Sequence, residues 1–213
     1  MVKRLLCYGD SNTHGTPPMS HNNQQERFGT GDRWTGHLKN LIAPKWEVIE
    51  EGLPGRTTLH NDPVEGDHMN GLTHLPVSLH SHRPLDLVCI LLGTNDLKAR
   101  FKVSPLEILL SLRRLAQTVT CSNAGPNQTS PKVLIVLPPF IQEVGIFSDI
   151  FCGGNKTALQ MKKLAPEFFK ENNLIWMDAG EHMEVSPVDG VHFDIENHQK
   201  LGKAVAKVIL ERF

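Results

Sequence analysis

Two short runs limit the fold of this 213-residue chain more than any other feature. Residues 85–92 (LDLVCILL) and 132–137 (KVLIVL) are almost unbroken in apolar side chains and rich in Val, Ile and Leu. A strand with one wet face alternates apolar and polar residues, whereas a strand covered on both faces does not. These two therefore read as central strands of a sheet buried on both sides. Three more runs, at 4–8, 46–50 and 174–177, also read as strands. Between the runs lie helix-like stretches at 34–43, 71–82, 104–121 and 155–171, and a last one runs from Asp194 to the C-terminus. In the third of these, Leu106, Leu109, Leu110, Leu112 and Leu115 form a helical stripe. Ser104 suits its N-cap, Pro105 its first position and Glu107 the position three after the cap. Asp194 suits the cap of the final helix, where Val205, Val208 and Ile209 recur at inner-face spacing. Pro76 counts against the second helix. Strand–helix alternation repeated five times predicts an α/β fold, with a parallel sheet between layers of helices.

Composition removes several functions. The chain suits one domain over residues 1–213, and 39% hydrophobic residues are too many for a disordered chain. It has no 18-residue apolar run, so no membrane span is expected. Lys+Arg is 22 and Asp+Glu is 23, a net charge of −1, without the basic excess that nucleic acid demands. The clusters Lys98/Arg100/Lys102 and Arg113/Arg114 read as solvated faces. Cys7, Cys89, Cys121 and Cys152 match no zinc or CxxC spacing, and Cys7 and Cys89 lie in strand-like runs as small buried hydrophobes. The first ten residues begin basic but lead into no apolar signal segment. These features predict a cytoplasmic protein. The glycosylation-like triplets at Asn127 and Asn155 then read as chance. Gly29, Gly31 and Gly36 have the wrong spacing for a dinucleotide loop, and neither cofactor nor metal is expected.

In open parallel sheets, sites form beyond the carboxyl ends of the strands. Gly9-Asp10-Ser11-Asn12-Thr13 follows the first strand, and Glu51-Gly52-Leu53-Pro54-Gly55-Arg56 the second. Gly93-Thr94-Asn95-Asp96 follows the third, and Asp189-Gly190-Val191-His192 precedes the last helix. These are the parts of a serine acyl-transfer site. Ser11 needs a base to become a nucleophile, and imidazole titrates near neutral pH, so His192 suits the task. Asp189, three residues earlier, can hold the other ring nitrogen. The oxyanion formed on attack needs fixed donors. The Ser11 N–H, the Gly52 N–H and the Asn95 side-chain amide offer three, and a glycine at 52 keeps a Cβ away from substrate.

The four blocks, in this order, resemble the signature blocks of the SGNH (GDSL-like) hydrolases. One GDS tripeptide arises by chance about once in several thousand positions, so the weight rests on four blocks each after a strand. "GDSNTHG", "EGLPGRTT", "LLGTNDLKARF" and "DGVHFD" resemble the branch containing bacterial arylesterase/acyltransferases and carbohydrate acetylesterases. That resemblance implies a flavodoxin-like three-layer α/β/α sandwich with a five-stranded parallel sheet, no metal, and homo-oligomers. It also implies Ser11 as nucleophile, Asp189 and His192 as its partners, and Gly52 and Asn95 as oxyanion donors. One block departs from the familiar text, ending GDSNT rather than GDSL. The change bears on subfamily more than on chemistry. The G-x-S-x-G elbow of the α/β-hydrolases is absent around Ser11.

The expected activity is hydrolysis of short-chain, acetyl-type esters of sugars or aryl alcohols, with acyl transfer or perhydrolysis open to the same acyl-enzyme. A thioesterase or lysophospholipase on the same scaffold, or a catalytically inactive small-molecule or carbohydrate-binding module, are the alternatives. Asp10 is expected to bond within its own loop, Asp96 to be structural, and His198 to pack or solvate the last helix. Arg56 and Thr57 suit a substrate contact and an internal salt bridge or turn bond about equally. Two long irregular stretches stand out, 11–32 and 138–154. The second carries Phe140, Ile141, Val144, Ile146, Phe147, Ile150 and Phe151, and is expected to form both pocket wall and subunit interface.

Overall fold

The computed structural model describes residues 2–22 and 24–213. Met1, which opens the basic start, and Asn23, within the 11–32 stretch, lie outside them. The strands are β1 (Lys3–Gly9), β2 (Trp46–Gly52), β3 (Leu87–Leu91), β4 (Lys132–Leu137) and β5 (Trp176–Asp178). All pair in parallel, in the order β2-β1-β3-β4-β5. The helices are α1 (Ser11–His14), α2 (Trp34–Ile42), α3 (Gly71–His82), α4 (Pro105–Thr120), α5 (Gly154–Glu171) and α6 (Ile195–Arg212).

The period-2 alternation of the strands splits the core into two layers. Leu6, Tyr8, Val88, Ile90, Ile135 and Leu137 face one side, against Leu75, Leu79, Ile108, Leu112 and Phe169 of α3, α4 and α5. Leu5, Cys7, Leu87, Cys89, Leu134 and Val136 face the other, against Trp34, Leu38, Leu201, Val205 and Ile209 of α2 and α6. This is the expected three-layer sandwich, and it explains why 85–92 and 132–137 lack polar alternation. The strand at 85–92 is shorter than its apolar run. Leu85 and Leu92 are fully buried outside the ladder, as Leu85 hands its backbone to Ala124.

The caps form as their residue types require. Ser104 Oγ accepts from the Glu107 N–H at 3.3 Å while Glu107 accepts from the Ser104 N–H at 2.9 Å, closing a capping box. Asp194 Oδ1 accepts from the Asn197 N–H at 2.9 Å and caps α6. Pro76 lies inside α3 without breaking it. It is exposed, so the hydrogen bond it forgoes is not lost inside the core. No helix among the described residues is long and apolar enough to cross a membrane.

The strand order reverses direction between β1 and β3, and a crevice opens there beyond the strand ends. Ser11 leaves β1 into that crevice, and Asn95 follows β3 into it.

Candidate active site

Ser11 opens α1, a single helical turn where the sequence suggests only loop. Asp10 makes the turn: its Oδ1 accepts from the Asn12 N–H at 3.0 Å, and its carbonyl accepts from Thr13 and His14. As the first residue of a helix, Ser11 keeps its own N–H free, with no partner among the described residues. Asp10 is buried, and desolvation pushes its carboxyl up to about 6 against the pull of the Asn12 N–H.

His192 reaches the hydroxyl from the far end of the chain. Its Nε2 lies 3.0 Å from Ser11 Oγ, and its Nδ1 lies 2.7 Å from Asp189 Oδ2. Asp189 is fully buried and fully bonded. Oδ1 accepts from the N–H groups of Val191 and His192, each at 3.0 Å, and Oδ2 also accepts from the Met19 N–H at 2.7 Å. Burial acts to raise its pKa, but the bonds from His192 and these N–H groups outweigh it and hold the carboxyl below its ordinary value. Phe147 stands edge-on to the imidazole, with ring centroids 5.7 Å apart.

A cavity of about 480 Å³ opens over these groups. Ser11, His192 and Asn95 line it, with apolar groups from Phe147, Ile150, Phe151 and Val191. His14, Thr16, Gln24, Gln25, Glu26, Glu65 and Lys98 add polar groups to the lining. Asn95 Nδ2 donates to the Arg56 carbonyl at 3.1 Å, which aims the amide and leaves its second hydrogen unspent. Beside it, Asp96 is buried and accepts from the Thr58 N–H at 3.0 Å and from the Thr58 hydroxyl, a structural tie between the β3 and β2 loops. Burial raises its pKa.

Gly52 requires a correction. It does not line the cavity. Leu53 donates its N–H to Gly9 of β1, so strand alternation turns the preceding N–H of Gly52 off the free edge of the sheet. Nor is its missing Cβ a matter of substrate. A Cβ there would lie 2.1 Å from the His14 backbone N, so Gly52 is what lets α1 sit against β2. Gly55, from the same block, lines the cavity at φ +85°, and its N–H has no partner among the described residues. The sequence motif contained it, but only the turn geometry separates it from Gly52.

Arg56 and Thr57 face inward. Arg56 Nη1 donates to the carbonyls of Gly9 at 2.9 Å and Glu51 at 2.5 Å, and its guanidinium lies 4.1 Å over the Tyr8 ring. The turn-bond alternative therefore holds for Arg56. Thr57 is fully buried and donates to the His60 carbonyl at 2.6 Å. Lys98 corrects the expectation of a solvated Lys98/Arg100/Lys102 face, because it lines the cavity beside Glu65, a residue that the sequence did not single out. Lys98 is 5% exposed and pairs with Glu65 at 2.5 Å and Asp62 at 3.6 Å. His198 packs: its Nδ1 accepts from the Trp34 N–H at 3.2 Å, capping α2 between the rings of Phe28 and Phe193.

The chain is similar to known proteins along its whole length. It is 38% identical to the aryl esterase of M. smegmatis, solved with an inhibitor bound, with 100% of both chains covered and a TM-score of 0.94. It is 34% identical to Est24, a carbohydrate acetylesterase from Sinorhizobium meliloti, covering 99% of this chain and 100% of that one at a TM-score of 0.93. A member of the lipolytic protein G-D-S-L family from Veillonella parvula DSM 2008, 15% identical over 100% of both chains, shares the fold at a TM-score of 0.68. Among curated proteins, none matches the sequence. The GDSL-like lipase/acylhydrolase family model matches residues 7–200, and the chain belongs to that family.

Proposed function

We propose that the protein is a serine esterase that hydrolyses short-chain carboxylic esters through an acyl-enzyme on Ser11. The observation that carries this is the unbroken line Ser11 Oγ, His192 Nε2, His192 Nδ1, Asp189 Oδ2, with contacts of 3.0 and 2.7 Å. His192 takes the hydroxyl proton as Ser11 attacks the ester carbonyl. Asp189 holds the ring and balances the imidazolium. The oxyanion falls to the N–H of Ser11, the N–H of Gly55 and the free amide hydrogen of Asn95. His192 then protonates the departing alcohol, and water, activated by the same ring, releases the acid. Where an alcohol or peroxide enters in place of water, the acyl group passes to it instead.

The mixed lining of the cavity supports a small acyl group and a polar alcohol. Phe147, Ile150 and Phe151 offer an apolar face beside the nucleophile, while Gln24, Gln25, Glu26 and Glu65 offer hydrogen bonds to hydroxyls. This favours acetyl esters of sugars or aryl alcohols, the activities in the names of the aryl esterase and acetylesterase relatives. Val144, Ile150 and Val188 remain 37 to 49% exposed, which suits burial against another copy of the chain. A reducing compartment, as in the cytoplasm, suits four free cysteines, of which Cys121 and Cys152 are exposed.

A fluorophosphonate probe tests the reading. Ser11 alone should be labelled, and folded, unlabelled protein would refute it. A series of p-nitrophenyl esters beside acetylated sugars then sets the substrate class. A preference for long acyl chains would select the lysophospholipase alternative.

A further inference from the structure

The Asn12 of GDSNT, where the familiar motif has Leu, has more than a subfamily meaning. Its side chain is 1% exposed and bonds to backbone 179 and 181 residues away. Nδ2 donates to the Val191 carbonyl at 3.2 Å, and Oδ1 accepts from the Phe193 N–H at 3.2 Å. These are the two backbone groups on either side of His192. One is an acceptor and one a donor, so only an amide in this orientation serves both. The backbone of His192 itself is held elsewhere. Its N–H goes to Asp189 Oδ1, and its carbonyl accepts from the Ser186 N–H at 2.7 Å. At its other end Asn12 is fixed by Asp10, which accepts its N–H, and it shares one helical turn with Ser11.

We propose that Asn12 is a positioning residue that sets the Ser11–His192 contact, by clamping the backbone around His192 to the turn that carries Ser11. The proposal rests on the esterase reading above. Leu at this position has neither donor nor acceptor. It would strand the Val191 carbonyl and the Phe193 N–H, and buried backbone groups are rarely left without a partner. The 189–193 segment then shifts until they are satisfied. Asp189 moves with it, because Asp189 holds the Val191 and His192 N–H groups as well as the ring. The His–Asp pair therefore survives and the His–Ser contact does not. That asymmetry separates positioning from plain stability.

The test compares wild type with Asn12→Leu and Asn12→Asp, well below their melting temperatures. Three quantities are read: steady-state kinetics on p-nitrophenyl acetate, the rate of fluorophosphonate labelling, and the deshielded Nδ1 proton of the His192–Asp189 pair by NMR. Asn12→Leu should lower kcat by about 10²-fold with KM nearly unchanged. Labelling should slow by the same factor, and the Nδ1 resonance should persist. Asn12→Asp matches the size and keeps the acceptor for Phe193 but loses the donor to Val191, so its loss should be smaller. It decides between the outcomes if Asn12→Leu does not fold. A folded variant whose kcat and labelling stay within about twofold of wild type overturns the proposal, whatever its melting temperature. So does loss of the Nδ1 resonance, which would mean a general collapse of the site. Wild-type protein that does not label sinks the esterase reading and this proposal with it. A labelled wild type matched by an equally reactive Asn12→Leu sinks this proposal alone.

Discussion

Ser11 and His192 lie 181 residues apart in the chain, yet Oγ and Nε2 stand 3.0 Å apart across the crevice between β1 and the approach to α6. That contact exists before any substrate arrives, so in the proposed mechanism His192 needs no rearrangement to take the proton. Ser11→Ala and His192→Ala should therefore each lower kcat by roughly 10³-fold or more. Both side chains are small contributors to the core, so thermal melts should remain close to wild type. Activity that survives His192→Ala would remove it as the base.

Asn95 lines the cavity and spends one amide hydrogen on the Arg56 carbonyl at 3.1 Å, which leaves the other for the proposed oxyanion. If Asn95 is an oxyanion donor, as proposed, Asn95→Ala should cost roughly 10²–10³ in kcat with a modest change in KM. Equal losses on binding a non-reactive substrate analogue would instead assign the residue to ground-state binding.

Arg56 anchors that arrangement from behind. Its guanidinium ties the carbonyls of Gly9 and Glu51 while lying over Tyr8, and its own carbonyl aims Asn95. Burial lowers its pKa and pushes Tyr8 up to about 12, as expected for groups sealed from water. Arg56→Lys replaces a flat fork with a point donor. Denaturant unfolding should show a loss of about 1–3 kcal/mol. A neutral substitution would mean that neighbouring groups repair the turn.

The two glycines of the second block separate by substitution. A Cβ on Gly52 meets the His14 backbone at 2.1 Å, and backbone cannot step aside. Gly52→Ala should therefore displace α1 and lose both stability and activity. A Cβ on Gly55 meets Glu65 Oε2 at 2.4 Å, the end of a flexible side chain, at a φ of +85° that costs about 1 kcal/mol. Gly55→Ala should fold and keep its N–H. A folded, fully active Gly52→Ala would refute this assignment.

These contrasts mark what the sequence could carry. Strands buried on both faces were legible at 85–92 and 132–137 because burial leaves no polar alternation. Ser104 and Asp194 were legible as caps because capping is local in sequence. Asp189 and His192 were legible because three residues of spacing place them on one turn. That Gly55 and not Gly52 lines the cavity was not legible, because where a backbone N–H faces depends on strand register rather than residue type. The Met19 N–H on Asp189 left no side-chain signal at all. Asn12 was visible as a departure, but its partners lie at the other end of the chain. Arg56 became decidable only once β1 and β2 ended side by side.

His198 gives the acid behaviour of the fold. It is fully buried, and desolvation, aided by His37, pushes its pKa down to about 3. The unfolded chain binds that proton near 6.5, so the neutral ring contributes stability that is complete above 6.5. That contribution is lost as pH falls from 6.5 toward 3, by about 1.4 kcal/mol per pH unit. Asp10 has the opposite sign. Burial raises it to about 6, so the folded state takes up its proton first, and stability is gained as pH falls from 6 toward the unfolded value near 3.8. The two slopes oppose each other in that window, and substitution exposes each alone. His198→Asn keeps an acceptor for the Trp34 N–H and removes the titration. The stability difference between wild type and His198→Asn should shrink as pH is lowered below 6.5. Asp10→Asn keeps the cap of α1, and its difference from wild type should run the other way between 6 and 4. Urea unfolding across pH 7 to 4 measures both. Curves that stay parallel to wild type would show that neither proton is linked to folding.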